Sequence, residues 1–269
     1  PVHEQWRLWR DPRQVAPGFE LRHKLAHGME TQMNATSRTE AFVEETNFGN
    51  WFLKSSTWKI HVLRRALNDL QLMIPEGQRF ERILDVGCGF GHSFHELAKR
   101  FEPKVIVGMD ADPHLRERAT EQANRCSARV ELHADNASRL SLPDASFDMV
   151  YCHQTFHHIV AQEEAMAEFF RVLKPGGVLL FAESTRKYIH SLPIRLLFRH
   201  PMDVQRTASE YVAMIRSAGF DLPDDRISYP YLWWSRSDIG FFEWIGLPVP
   251  AKREETLVNA VAIKRRIQK

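Results

Sequence analysis

From Arg82 to Ser184 the chain alternates short apolar runs with amphipathic ones, and this alternation restricts the fold more than any other feature. "RILDVG" is an unbroken apolar run closed by glycine, the pattern of a strand buried on both faces. "SFHELAKRF" follows at helical spacing, then "KVIVGMD" as a strand and "PHLRERATEQANRC" as a helix. "ARVELHAD" and "FDMVYCH" predict two more strands, joined by the loop "NASRLSLPDAS". "AQEEAMAEFFRVLK" predicts a helix stopped by "PGG", and "GVLLFAES" a fifth strand. The alternation predicts an α/β fold built on a doubly wound parallel sheet, with ligands at the carboxyl ends of the strands.

The flanks read differently. Residues 1–78 predict an N-terminal helical cap, and 79–269 one α/β domain with insertions near 185–206 and 235–255. In the cap, "ATSRTEAFVEETN" and "STWKIHVLRRALNDLQLM" have helical spacing. The second carries Ile60, Leu63, Leu67 and Leu70 on one stripe, behind Ser56 or Thr57 as the capping residue. "TASEYVAMIRSAGF" predicts a helix ended by Gly219, and "RISYPYLWW" and "LVNAVAIKRR" the last strands. Insertions after strands on the ligand-facing edge shape pockets.

Composition narrows the partners. With 269 residues, 43% of them hydrophobic, the chain can bury one large core. Lys plus Arg number 36 and Asp plus Glu 34, a net charge of +2, so no nucleic-acid partner is expected. Cys88, Cys126 and Cys152 are an odd set without paired spacing, which fits a reducing, cytoplasmic setting and no disulfide framework. The opening "PVHEQWRLWRDPRQ" lacks the apolar core of a signal peptide, and no apolar run approaches the roughly 20 residues of a membrane span. A soluble protein is expected; nothing in the composition speaks to its oligomeric state.

The turn "ILDVGCGFGHS" holds Gly87, Gly89 and Gly91 directly behind the first strand. A dinucleotide fingerprint would place its third glycine at position 92, which is histidine, and no Lys-Ser or Lys-Thr pair follows to bind phosphate. Asp85, two residues before the glycines, would repel a pyrophosphate and suits a cationic ligand. Asp110 ends the second strand, where an acid takes the hydroxyls of a ribose. Asp135 ends the third, with Asn136 beside it, where an adenine amino group would be received. An amine, a ribose and an adenine without phosphates describe S-adenosylmethionine. Read singly, each acid is equally a helix or turn cap; three at successive strand ends favour the ligand.

These stretches carry a resemblance. "ILDVGCGFG", "VIVGMDADP", "HADNASRLSLPDASFDMVYCHQTFHHI" and "FFRVLKPGGVLLFAES" are similar, in order and spacing, to the motifs of class I S-adenosylmethionine-dependent methyltransferases, in texture the small-molecule type of quinone biosynthesis. The resemblance covers roughly residues 80–184 and implies a Rossmann-like, seven-stranded sheet with its last strand antiparallel. It also implies that Gly87, Gly89 and Gly91 face the methionine part, Asp110 with the adjoining Ala111 the ribose, and Asp135 with Asn136 the adenine. Residues 1–78 and 185–269 match no motif, so the acceptor is encoded there.

Methyl transfer from a sulfonium chiefly needs alignment and exclusion of water; a base is required only when the acceptor must lose a proton. His153 and His157 in "YCHQTFHHI" are the candidate acid–base or orienting residues. By resemblance, His153 matches a residue beside the transferring methyl that is more often small or amide-bearing. Glu183 at the end of the fifth strand is placed to meet substrate or to orient a histidine. No acidic or Cys/His spacing predicts a metal. Trp51, Trp58 and Trp233 stand among aromatics mixed with Gly, Ser and Pro, a texture of pocket walls that predicts a small apolar or aromatic acceptor. "LPIRLLFRHP", with Arg195 and Arg199, offers a membrane-contacting alternative that ranks below the closed pocket.

Overall fold

The computed structural model describes residues 45–230 and 255–265, together with 241, 245 and 246, all within the unit Phe42–Lys269. Residues 1–44 of the predicted cap, the predicted substrate residue Trp233 and nearly all of the 235–255 insertion lie outside the described residues.

Five parallel strands form as the apolar runs require: β1 (Arg82–Val86), β2 (Val105–Asp110), β3 (Arg129–Ala134), β4 (Phe147–His153) and β5 (Leu173–Ser184). The sheet runs in the order β3-β2-β1-β4-β5-β8-β6, with β8 (Leu257–Lys264) antiparallel to both of its neighbours. This is the expected seven-stranded path with its antiparallel strand. An eighth, two-residue strand, β7 (Ile227–Ser228), adds to β8. Of the strand expected along "RISYPYLWW", Ile227 and Ser228 are the residues that pair among the described ones, and β6 (Phe220–Asp221) forms earlier, directly after the glycine expected to end a helix. Pairing opposite a neighbouring strand, not local propensity, selects such short pieces.

Strand order reverses between β1 and β4, so the loops leaving them diverge and open a crevice at their carboxyl ends. Both sheet faces are covered. Leu84, Val86 and Val150 pack against Phe169 of α5 (Gln162–Val172) and Tyr211 of α8 (Ala208–Ser217). Ile83, Met149 and Tyr151 pack against Phe94 of α3 (His92–Phe101) and Leu67 and Leu70 of α2 (Arg65–Met73). Alternate residues of β1 and β4 thus serve opposite layers, as period-two side chains must. Each fully buried leucine or phenylalanine contributes about 1.5–3 kcal/mol.

The predicted helix over "STWKIHVLRRALNDLQLM" begins as a π-helical stretch, Trp58–Arg64, which continues into α2. Its start lies one residue before the expected caps: Ser55 Oγ accepts from Trp58 N at 3.1 Å, while Thr57 is already helical. The wider π turn, with i→i+5 bonding, shifts the phase of the stripe. Leu63, Leu67 and Leu70 stay on the sheet, but Ile60 is left 48% exposed. Before it lies α1 (Asn47–Lys54), capped by Thr46 through Gly49 N. Across the 185–206 insertion run α6 (Arg186–Ile189) and α7 (Leu192–Leu197). Between α3 and α5 lies α4 (Leu115–Arg125). No helix among the described residues is long and apolar enough to cross a membrane.

Candidate functional site

After β1 the chain hooks toward β2: Gly87 N and Cys88 N both donate to Met109 O, at 2.7 and 3.1 Å. The turn that follows needs left-handed backbone at Gly87, Gly89 and Gly91, with φ of 69°, 51° and 72°. The three glycines differ in what surrounds them. A side chain at Gly87 would strike Thr155 and one at Gly91 would strike Phe94, whereas one at Gly89 would meet nothing within 4 Å. Gly89 is the open floor of the turn.

Asp110 faces that floor. Its Oδ2 accepts from Gly89 N at 2.9 Å and its Oδ1 from Asp112 N at 3.0 Å, and each oxygen keeps lone-pair capacity for a further donor. Burial raises its pKa above the ordinary carboxylate value. Ala111 sits half-buried beside it. Asp85 lies beneath the turn, buried and hydrogen-bonded by Ser93 Oγ; burial, against that bond, pushes its pKa up to about 7. Asp135 is more occupied: Oδ1 accepts from Asn136 N at 2.8 Å, and Oδ2 from Ser141 N and Oγ at 2.8 and 2.6 Å. Asn136, exposed, accepts from Ser138 N and Oγ. Local turn bonds thus hold both residues at the end of β3.

Sequence reasoning missed what covers the turn. Phe90 lies between two cations, Arg118 at 4.3 Å and Lys54 at 4.7 Å from its ring centre. Arg118 is paired with the buried Asp112 and donates to Asn50 Oδ1 at 2.8 Å. Asn50 and Lys54 belong to α1, so that helix closes over the glycines. The only signal in the sequence was the acid two places after Asp110; Asn50 and Arg118 are far apart in the chain and meet only through the fold.

His153 ends β4 and is buried. Its ring lies parallel to Tyr151 at 5.8 Å and tilted against Trp58 at 5.7 Å, and Trp58 also meets His92 at 6.2 Å. His153 Nε2, His92 Nε2 and the Tyr151 hydroxyl are all buried without a hydrogen-bond partner among the described residues. Orphaned polar atoms are costly and few in folded proteins, and here two of them belong to the histidines that meet one tryptophan. Burial lowers His153 and His92 to about 4 each and raises Tyr151. The imidazoles are therefore neutral near pH 7, able to receive or lend a hydrogen bond but carrying no charge.

His157 is held elsewhere. Its Nδ1 lies 2.7 Å from Glu183 Oε2, both side chains being buried. Glu183 Oε1 accepts from Thr155 N and Phe156 N, each at 2.8 Å. The structure thus places Glu183, fully buried, as the fastening of the loop after β4, orienting a histidine. His157 meets His158 and His200, not His153. Of the predicted aromatic walls, Trp58 joins the site, while Trp51 is 64% exposed and leans on Phe48.

Comparison with known proteins shows what the chain is similar to. A family described as "Methyltransferase domain" matches residues 84–181. The chain is 31% identical over 192 residues to a sterol 24-C-methyltransferase of Gibberella zeae, covering 65% of this chain and 49% of that one. It is 35% identical over 121 residues to a demethylmenaquinone methyltransferase of Deinococcus radiodurans, covering 44% and 50%. The chain thus spans about half the length of these curated relatives. The fold resembles a SAM dependent methyltransferase of Aquifex aeolicus with a TM-score of 0.58 at 16% identity, over 81% of this chain and 99% of that one.

Proposed function

We propose that the chain, which carries a methyltransferase domain over residues 84–181 and resembles the class I, S-adenosylmethionine-dependent family, binds S-adenosylmethionine along the Gly87–Gly91 turn and methylates a small organic acceptor seated against Trp58 and His153. The observation that carries this reading is the open floor at Gly89, flanked by two acids. Its half-buried, side-chain-free backbone, the spare lone pairs of Asp110 and the buried Asp85 suit a cationic nucleoside without phosphates. When bound, that donor supplies a methyl group on a positively charged sulfur, open to in-line displacement.

The remaining roles fall to the chain's own residues. Asp85 balances the ligand's ammonium, Asp110 with Ala111 receives the ribose, and Asp135 with Asn136 the adenine edge. α1 closes over the turn through Asn50 and Lys54 and excludes water. Trp58 forms an apolar wall for the acceptor. His153 presents an unpartnered nitrogen toward it, which suits a hydroxyl better than an amine, thiol or carbon centre. His157 orients the loop behind.

His153→Ala should lower kcat by about 100-fold, the usual contribution of a positioned base, while cofactor affinity stays within about twofold. Because burial holds this imidazole at about 4, its base form persists until the pH falls through about 4, so no acid limb belonging to His153 should appear near 6.5. Equal loss of turnover and cofactor affinity would make the residue structural instead.

A second reading keeps the donor and takes the acceptor from a lipid surface. On α7, Leu192 and Leu196 are 69% and 74% exposed, with Arg195 and Arg199 also exposed. An apolar face edged by arginine suits a membrane interface, and the two curated relatives act, by name, on a sterol and a menaquinone precursor. One experiment addresses the whole assignment. Calorimetry should show S-adenosylmethionine and S-adenosylhomocysteine binding and NADH not binding; the reverse pattern would overturn the donor. Release of S-adenosylhomocysteine is then followed with hydroxylated aromatics in solution and with quinones or phospholipids in vesicles. Turnover only with vesicles selects the second reading, and binding without turnover in either format makes the chain a catalytically silent cofactor-binding subunit.

A further inference from the structure

We propose that His157, His158 and His200 form a site for a first-row transition-metal ion, zinc above all, bound by three imidazole nitrogens beside the loop that leaves β4. Each histidine offers one nitrogen, and the three lie within 4.8 Å of one another. Their ring centres are 4.3, 4.8 and 5.1 Å apart. Around a tetrahedral zinc with bonds of about 2.0–2.1 Å, ligand nitrogens stand roughly 3.4 Å apart, so modest side-chain rotation closes the site.

The surroundings are those of a metal site. Glu183 fixes Nδ1 of His157, which leaves Nε2 to face the ion, and its own orientation is locked by two backbone N–H groups. A carboxylate behind a ligating histidine sets its tautomer and strengthens it as a donor. The two segments that bring the ligands together are already tied. Gln205 Nε2 donates to His157 O at 2.8 Å and to Pro201 O at 2.7 Å, spanning from one ligand's backbone to the neighbour of another. His158 and His200 make no side-chain hydrogen bond among the described residues, which leaves their ring nitrogens available to an ion. Both are half-buried, so an ion has a way in, and with three protein ligands the fourth position falls to water.

An ion here would act on structure near the donor site. The segment carrying His200 also carries Phe198, which packs edge-on against Phe48 and Phe52 of α1, and Leu197 O accepts from Thr46 Oγ1 at 2.6 Å. Bridging His200 to His157 would clip the strap behind α1 to the loop after β4. Sequence spacing did not reveal this trio because His200 arrives from a separate segment, beyond α7, and the H-x-x-x-H pair His153 and His157 does not converge on it.

The test uses the untagged full chain, stripped with chelator and dialysed against micromolar zinc. One zinc per chain by elemental analysis is expected, and Co2+ in its place should give the visible bands of a tetrahedral, nitrogen-ligated ion that zinc displaces. His200→Ala, on a half-buried loop, should fold with unchanged circular dichroism and bind zinc about 100-fold more weakly; Glu183→Gln should cost roughly 10–100-fold by weakening the hold on His157 Nδ1. No retained zinc, no cobalt bands, or His200→Ala binding as tightly as the parent would each overturn the site. None of these readouts depends on methyl transfer.

Discussion

Gly89→Ala folds and loses S-adenosylmethionine, whereas Gly87→Ala loses much of the fold's stability: this is the expected outcome for two glycines two residues apart. Both have positive φ, which costs a residue with a Cβ about 1–2 kcal/mol. What the Cβ then meets separates them. At Gly89 it enters open space, the space the donor's methionine part would fill, so stability falls only by the backbone cost. Affinity should fall at least about 100-fold, near 2.7 kcal/mol. At Gly87 it would sit 2.1 Å from both Oγ1 and Cγ2 of Thr155. That threonine cannot swing aside: its N–H is bound to Glu183, and its hydroxyl donates to Gly87 O or His153 O. Overpacking adds about 1–3 kcal/mol to the backbone cost, a large part of the roughly 5–15 kcal/mol that holds a domain folded. Thermal melts with calorimetry decide. Parent-like binding by Gly89→Ala would mean that no ligand rests on the turn, and a parent-like melt for Gly87→Ala would mean that the loop after β4 yields.

The same contrast marks what the sequence could and could not reveal. β1 to β5 were legible because buried parallel strands are written as unbroken apolar runs, and the acid positions because strand ends are local features. The site's floor was legible as three glycines, but not that only the middle one faces open space; Thr155 comes from the loop after β4, and the way Phe94 turns back from α3 is set by packing. The cover of Lys54 and Arg118 over Phe90, the burial of Glu183 and the meeting of His200 with His157 are tertiary contacts between residues far apart in the chain. The π-helical start of the α2 segment hid for another reason. A single wider turn leaves composition unchanged while rotating Ile60 out of a stripe that Leu63, Leu67 and Leu70 still obey.

Asp85→Asn should make the ligand-free protein more stable at pH 8 than the parent while weakening its hold on the donor. The parent carboxyl ionises at about 7 when folded, against 3.8 as an ordinary carboxyl, chiefly because burial strips it of water. Its pKa is raised on folding, so its stabilising contribution is complete below about 3.8 and is lost as pH climbs through about 7. At pH 8 the folded chain carries a buried anion at a cost on the order of 4 kcal/mol, an upper bound for so large a shift. Asparagine never ionises, and its amide oxygen can still accept from Ser93 Oγ, which holds the parent carboxylate. The variant's melting temperature should match the parent's near pH 4 and exceed it at pH 8. Binding should run the other way. A cationic ligand draws the proton off Asp85, so parent affinity should tighten between pH 5.5 and 7.5 by up to about tenfold per pH unit, while the variant binds weakly and without that slope. A melting gap that ignores pH would remove the buried-anion account. A variant that binds S-adenosylmethionine as the parent does would show that this carboxylate belongs to the fold and has no part in receiving the donor.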